Sequence, residues 1–474
     1  MSLVQSERKK AWAPRSRRGC YTCRSRRIKC DEHLPVCNKC LASDRACRYP
    51  ALRLDRDEPR ELPTLASKAA LHQREPPDWN LAQGMLFFAT VLVPMYERGQ
   101  VATTSYRKQF PSQPHISHFF FPTGFLMMVT SHRIKMVCAE RGVPVERGQG
   151  LGIEHLWRSF FGYMALALEN LNRHILARSP AWYVINRTVD LLANELHIVD
   201  SLWRSHLRGF FAIVQLYGGV DTILKTSARL PYTAMNYCLV FTAVGNACSP
   251  VHDQIDGLYS WSEEDILSIY THTFYFCFAS PSILFLAVFR ITRLRILVAS
   301  GQSVDELQTT AETIAHSVHR FPTTDWTESY ALPDDPLRSL LAAIFKVAAI
   351  LYGLLSLPLD LARPFAGSYW DDAANDPVER ARLHYRDMLL DMVWPTAKKV
   401  QLSRLSWIFA VLGVAYLDGP EDVQQRILQS LRAILRMEDV GGGAATMLKM
   451  FPLYWASGKL GWEQCYYKPC QVLC

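Results

Sequence analysis

The chain has 474 residues, 49% hydrophobic and 20% charged, with 52 Lys and Arg against 44 Asp and Glu and a formal net charge of +8. That apolar share excludes a disordered chain and is enough for a large buried core. The excess charge is local: the first 50 residues carry 13 basic against 4 acidic side chains, and the other 424 carry 39 against 40. A basic patch of that density attracts phosphate and releases counterions on binding, which is the footprint of a nucleic-acid reader.

The chain opens MSLVQSERKK, without an apolar signal-peptide core, so a disulfide framework is a poor reading of the cysteines that follow. Residues 1–19 read as a basic disordered arm in which Lys9, Lys10, Arg15, Arg17 and Arg18 suit phosphate contacts or nuclear import.

Cys20, Cys23, Cys30, Cys37, Cys40 and Cys47 come next, spaced C-x2-C-x6-C-x6-C-x2-C-x6-C. Thiolates are soft ligands that favour zinc, and paired C-x2-C units mark structural zinc sites. Two tetrahedral zinc ions holding only thiolate need eight ligand positions, so six cysteines suffice only when two sulfurs each bridge both metals. Six thiolates carry about −6 against +4 from the metals, an excess that the surrounding arginines and lysines partly offset. The 28 residues from Cys20 to Cys47 hold too few large apolar side chains for a core. Zinc replaces it, contributing on the order of 10–16 kcal/mol in small zinc-binding peptides.

The segment CYTCRSRRIKCDEHLPVCNKCLASDRACRY resembles the DNA-binding domain of the fungal binuclear zinc-cluster transcription factors, and the resemblance covers Gly19 to Tyr49. It implies that Cys20 and Cys37 are the bridging pair and that Pro35 restricts the loop joining two short helices. It also implies that a first helix, between the second and third cysteines, enters the major groove over a CGG-like triplet of double-stranded DNA. Here that stretch reads Arg24, Ser25, Arg26, Arg27, Ile28, Lys29. Arg26 and Arg27 hold the place of the basic pair that reads base edges, where many relatives have lysine. Arg24 and Lys29 suit phosphate. Arginine can donate two parallel hydrogen bonds to guanine O6 and N7, in keeping with a G-rich half-site.

Residues 48–78 read as a linker, with prolines at 50, 59, 63, 76 and 77. Their longest proline-free run, Thr64 to Glu75, is 12 residues, under two heptads and too short for a stable coiled coil. This leaves monomeric binding, or a homodimer formed through the C-terminal domain.

Residues 79–474 show helical periodicity. Ile153, Trp157, Phe160, Met164, Ala167, Leu171 and Ile175 form one stripe. Asp376 is a good N-cap, Pro377 suits a first turn and Pro395 marks an end. Val423, Ile427, Leu428, Leu431, Ile434 and Leu435 form a second stripe, with Gly441 to Gly443 after it. Period-2 alternation is scarce, which points to an all-α domain of stacked antiparallel helices. In layout, and in SWIFAVLGVAYLDGPEDVQQRILQSLRAIL, this region loosely resembles the helical regulatory domain of the same factors.

Ile266 to Phe289 has no Asp, Glu, Lys or Arg over 24 residues, but Pro281 splits it into pieces that suit buried helices, and Val347 to Leu359 is too short to span a membrane. No G-x-S-x-G, H-E-x-x-H or P-loop motif argues for an enzyme. Gly148, Gly150 and Gly152 read as a turn, His316 and His319 as ordinary core or surface histidines, and the seven further cysteines as free thiols. The aromatic run Tyr270 to Phe289 reads as core, with a pocket for an apolar small-molecule effector as the alternative.

The sequence therefore points to a nuclear, sequence-specific transcription regulator of fungal type. Its zinc cluster reads DNA and its helical domain regulates and meets the transcription machinery, as in a pathway-specific activator of a biosynthetic gene set. The rivals are a zinc-dependent protein adaptor and a ligand-responsive or enzymatic helical domain with a zinc targeting module.

Overall fold

Proline begins several of the helices in this fold. Pro180, Pro281, Pro358 and Pro420 each have φ between −51° and −59° and ψ between 139° and 153°, and a helix starts at the next residue. The ring fixes φ, and the missing N–H costs nothing at a position that has no intrahelical acceptor. A computed structural model describes residues 20–31, 37–43, 45, 47, 81–92, 122–148, 150–196, 198, 201–227, 232–272, 278–324, 326, 337–371, 376–397, 402–436 and 442–473. The arm 1–19, the linker 48–78 with Thr64 to Glu75, and Pro35, Cys277, Gly441 and Cys474 lie outside the described residues.

The chain divides into two compact units, Met1–Glu75 and Pro76–Cys474. The first carries two short helices, Tyr21–Ser25 and Asn38–Leu41, which pack on each other around buried cysteines. The second has no strand among its described residues. The expected fold class, a small cysteine cluster followed by an all-α region, is the observed one.

In the helical unit, consecutive helices pack pairwise: Pro122–Glu140 on Glu154–Leu176, Ala181–Glu195 on Trp203–Leu216, Ser282–Ala299 on Val304–Arg320, and Glu421–Leu435 on Gly443–Ser457. The first expected stripe is the helix Glu154–Leu176, which buries Trp157, Phe160, Met164 and Leu171. The stretch after Pro420 is Glu421–Leu435, burying Ile427, Leu428, Leu431 and Ile434. Asp376 caps Pro377–Ala397, its Oδ1 accepting the N–H of Val378 at 3.0 Å. Pro395 does not end that helix; it falls in the last turn and the helix runs to Ala397.

Arg338–Ser356 is the one described helix long and apolar enough to cross a membrane by length and composition, which the shorter stretch Val347 to Leu359 concealed. In this fold 72% of its apolar window is buried. It packs against Ser282–Ala299, Val304–Arg320, Pro377–Ala397, Ser406–Ala415 and Trp462–Cys465. The charge-free run Ile266 to Phe289 is divided as its sequence implied, between the helices Glu263–Tyr270 and Ser282–Ala299. Its described aromatics are core: Tyr270 stacks on Phe285 at 4.0 Å, and Phe278 packs against Phe285, Phe345 and Trp407. The Gly148–Gly150–Gly152 segment has positive φ at all three glycines and follows a helix, so it is a turn.

The C-terminal residues are also interior. Cys465, Tyr466, Cys470, Val472 and Leu473 are at most 1% exposed. Cys470 donates its N–H to the Cys248 carbonyl at 3.0 Å, Gln471 Nε2 donates to the Phe241 carbonyl at 3.1 Å, and Trp462 Nε1 donates to the Ala247 carbonyl at 2.6 Å. His319 sits half-buried with Nε2 3.2 Å from the Phe365 carbonyl, while His316 is exposed.

Candidate metal centre and nucleic-acid interface

Each half of the cluster uses the same local device. Cys20 caps Tyr21–Ser25 and Cys37 caps Asn38–Leu41, each sulfur accepting the backbone N–H three residues on, from Cys23 and from Cys40, at 3.3 Å. The third cysteine of each half folds back: Cys30 Sγ accepts the Cys20 N–H at 3.4 Å, and Cys47 Sγ accepts the Cys37 N–H at 3.3 Å. The spacing C-x2-C-x6-C is thus used twice, and its repetition was visible in the sequence.

The doubling gathers the sulfurs into two overlapping groups, Cys20, Cys23, Cys30, Cys37 and Cys20, Cys37, Cys40, Cys47, with all Sγ atoms of a group within 4.8 Å of one another. Cys20 and Cys37 are common to both. Their sulfurs lie 3.7 Å apart, Cys20 to Cys40 is also 3.7 Å, and Cys23 to Cys37 is 3.6 Å. Thiolates arranged tetrahedrally around zinc at a Zn–S distance near 2.3 Å stand about 3.8 Å apart. The donor set and its spacing therefore fit two zinc ions. Burial pushes the Cys20 and Cys37 thiols up, but hydrogen bonds from the Cys23 and Cys40 backbone and from neighbouring thiols outweigh it, and both end below the usual thiol value. Burial raises Cys40 to about 12 and Cys23 higher still.

The basic helix differs from expectation in where it lies. It starts at Tyr21, because the Cys20 sulfur supplies the N-cap, and its last residue is Ser25. Arg27 has φ 55°, and the N–H groups of Arg27 and Ile28 return to the carbonyls of Arg24 and Cys23, both at 3.1 Å. That is a Schellman termination with arginine where glycine is usual, so the stretch from Arg26 to Lys29 is cap and turn. Arg24, Arg27 and Lys29 are exposed. Arg26 is half-buried and its Nη1 donates to Ser43 Oγ at 2.9 Å. Arg17 and Arg18 lie outside the described residues.

Two supporting residues escaped the sequence reading. The Asp31 carboxylate accepts the N–H groups of Asn38 and Lys39 at 3.1 and 3.2 Å, tying the first half to the second helix. Ser43 anchors Arg26 while donating to the Lys39 carbonyl at 2.8 Å. Asp31 lies seven positions before the helix it caps, so no local capping pattern marks it.

Residues 18–55 match the fungal Zn(2)-Cys(6) binuclear cluster domain, a domain that binds two zinc ions. The chain carries the cluster domain of the fungal Zn(2)-Cys(6) transcription regulators. It is 56% identical over 41 residues to the adhesion and hyphal regulator 1 of Candida albicans, matching 9% of this chain and 6% of that one. It is 44% identical over 45 residues to the transcription factor lfc1 of Flammulina velutipes, of which the match spans 16%. These relatives are thus matched over a small part of their length. A longer likeness, 21% identity over 96% of this chain and 88% of the other, is to the phomenoic acid biosynthesis cluster-specific transcriptional regulator of Leptosphaeria maculans. No solved structure matches.

Proposed function

We propose that this protein is a nuclear, sequence-specific, DNA-binding transcription regulator. Its six N-terminal cysteines hold two zinc ions, with Cys20 and Cys37 bridging. The observation that carries the reading is the pair of four-sulfur groups sharing Cys20 and Cys37, set beside the exposed Arg24, Arg27 and Lys29. When bound, zinc supplies the rigidity that this short segment cannot obtain from apolar packing. The protein's own part is to present guanidinium groups at the end of a capped helix, where Arg27 meets a guanine edge and Arg24 and Lys29 meet phosphate. Arg17 and Arg18 add phosphate contacts.

The helical unit regulates this activity, through the transcription machinery or a small-molecule effector. Likeness over nearly the whole chain to a biosynthesis cluster-specific regulator supports a pathway-specific role, which we take to be activation from CGG-like sites. Genome-wide occupancy tests this. Occupancy should concentrate at CGG-bearing promoters of a few functionally related genes and vanish in Cys23→Ala; occupancy scattered over unrelated genes, or unchanged by that substitution, would contradict it.

A further inference from the structure

Helix Val304–Arg320 carries Glu312, His316 and His319 at intervals of four and three residues, which sets them along one face. All three line a cleft of about 440 Å³ between this helix and the segment Arg363–Asp371, whose Gly367 and Ser368 form part of the opposite wall. The two histidines read as ordinary in the sequence because the cleft that gathers them with Glu312 depends on a segment further along the chain.

Both intervals are ones that helical metal motifs use. Two histidines four apart share a zinc ion in H-E-x-x-H, and a glutamate and histidine three apart share a metal in E-x-x-H. His316 is the middle residue here, so an ion at its level is within one or two turns of all three Cα positions. Two imidazoles and a carboxylate are a donor set that zinc takes, with a fourth position left to water.

The surroundings of these side chains resemble the outer shell of a metal site. His319 Nε2 lies 3.2 Å from the Phe365 carbonyl, and a carbonyl only accepts, so Nε2 carries the proton and Nδ1 keeps the lone pair. Gly367 has φ 62°, and a Cβ there would stand 3.1 Å from His319 Cε1, so the missing side chain makes room for the ring. A backbone carbonyl that fixes the tautomer and orientation of a histidine is a common support for a metal ligand. Burial lowers the pKa of His319, which favours the neutral imidazole that a metal requires. On Glu312, Oε1 accepts a hydrogen bond from Gln308 Nε2 at 3.0 Å, and that bond can persist with Oε2 on an ion. Glu312 and His316 are exposed, so both can turn about their side-chain bonds to meet one ion with His319.

We propose that Glu312, His316 and His319 bind a divalent transition-metal ion, zinc foremost, at the cleft between Val304–Arg320 and Arg363–Asp371. The site belongs to the helical unit and is separate in sequence from the six cysteines. By holding His319 in place against the Phe365 carbonyl, the ion ties the helix to the segment across the cleft and makes the stability of the helical unit depend on free metal.

Equilibrium dialysis of the full zinc-loaded chain against low-micromolar zinc, followed by elemental analysis, tests the site. Wild type should hold one zinc ion more than the double variant Glu312→Gln, His316→Gln. His316→Gln alone should weaken uptake of that ion roughly tenfold or more, since even outer-shell partners are worth 10–100-fold in metal affinity. His316→Cys, which exchanges one zinc ligand for another, should retain it. Both replaced residues are exposed and glutamine suits a helix, so the double variant should melt like wild type without added zinc. Added zinc should then raise the melting temperature of the wild-type helical unit and leave that of the double variant unchanged. Equal zinc content in wild type and double variant, or an equal melting response to zinc, would overturn the proposal.

Discussion

Cys20 and Cys37 hold their sulfurs 3.7 Å apart and belong to both four-sulfur groups, whereas each of the other four cysteines belongs to one. Replacing a shared cysteine should therefore cost more metal than replacing an unshared one. Wild-type protein should carry two zinc ions, Cys47→Ser should keep one, and Cys37→Ser should lose both along with the fold of the segment. Elemental analysis after gel filtration reads this; a Cys37→Ser protein that retains two zinc ions would show that Cys37 does not bridge.

Arg26 and Arg27 should separate by role. Arg26 is engaged with Ser43, so Arg26→Ala should cost about 1 kcal/mol of stability in the zinc-bound segment. Arg27 is exposed at φ 55°. Arg27→Ala should lose about 1–3 kcal/mol of discrimination for the preferred duplex. Arg27→Gly should lose the same discrimination while relieving the backbone, and should be the more thermally stable of the two. Duplex competition and melting of each variant check both statements.

Arg295, 3% exposed, donates to the carbonyls of Ala247 at 2.9 Å and Ser249 at 3.2 Å and to the Tyr352 hydroxyl at 2.8 Å, and it pairs with Glu463. It joins three core helices to the C-terminal segment. Arg295→Ala strands all of these partners and should cost about 3–5 kcal/mol in urea unfolding. A loss under about 1 kcal/mol would mean that water replaces the guanidinium there.

Asp190 gives a pH signature. Burial pushes its carboxyl up to about 7, against the pull of Arg187, whose Nη1 is 2.8 Å away. The folded state thus holds a proton that the unfolded chain releases near pH 4. The stability from this group is complete below pH 4 and is lost as pH rises toward 7. Asp190→Asn removes that loss, so its stability relative to wild type should improve from pH 4 to 7 and level off above. A constant difference across that range would refute the assignment.

The parts of this molecule written in local spacing were legible. Cysteine intervals gave the metal ligand count, and the stripes at Ile153–Ile175 and after Pro420 became helices. The helix boundary around Cys20 was not legible, because a cysteine sulfur serving as N-cap is not a sequence signal that propensity supplies. Pro395 signals a stop, yet proline in a last turn sacrifices only one hydrogen bond. The burial of Cys470, Val472 and Leu473 was hidden for another reason. It depends on contacts with Phe241 and Cys248, more than 200 positions away, and a short tail has no periodicity to announce it.

The central claim is that zinc held by six thiolates presents an arginine-bearing helix end to DNA. Fluorescence anisotropy of the zinc-loaded chain with CGG-containing and scrambled duplexes, across a salt series and with or without a chelator, tests it most directly. Binding should favour CGG, weaken steeply as salt rises and disappear with chelator. Zinc-dependent folding with no preference among duplexes would contradict the claim and make the cluster a protein-binding module.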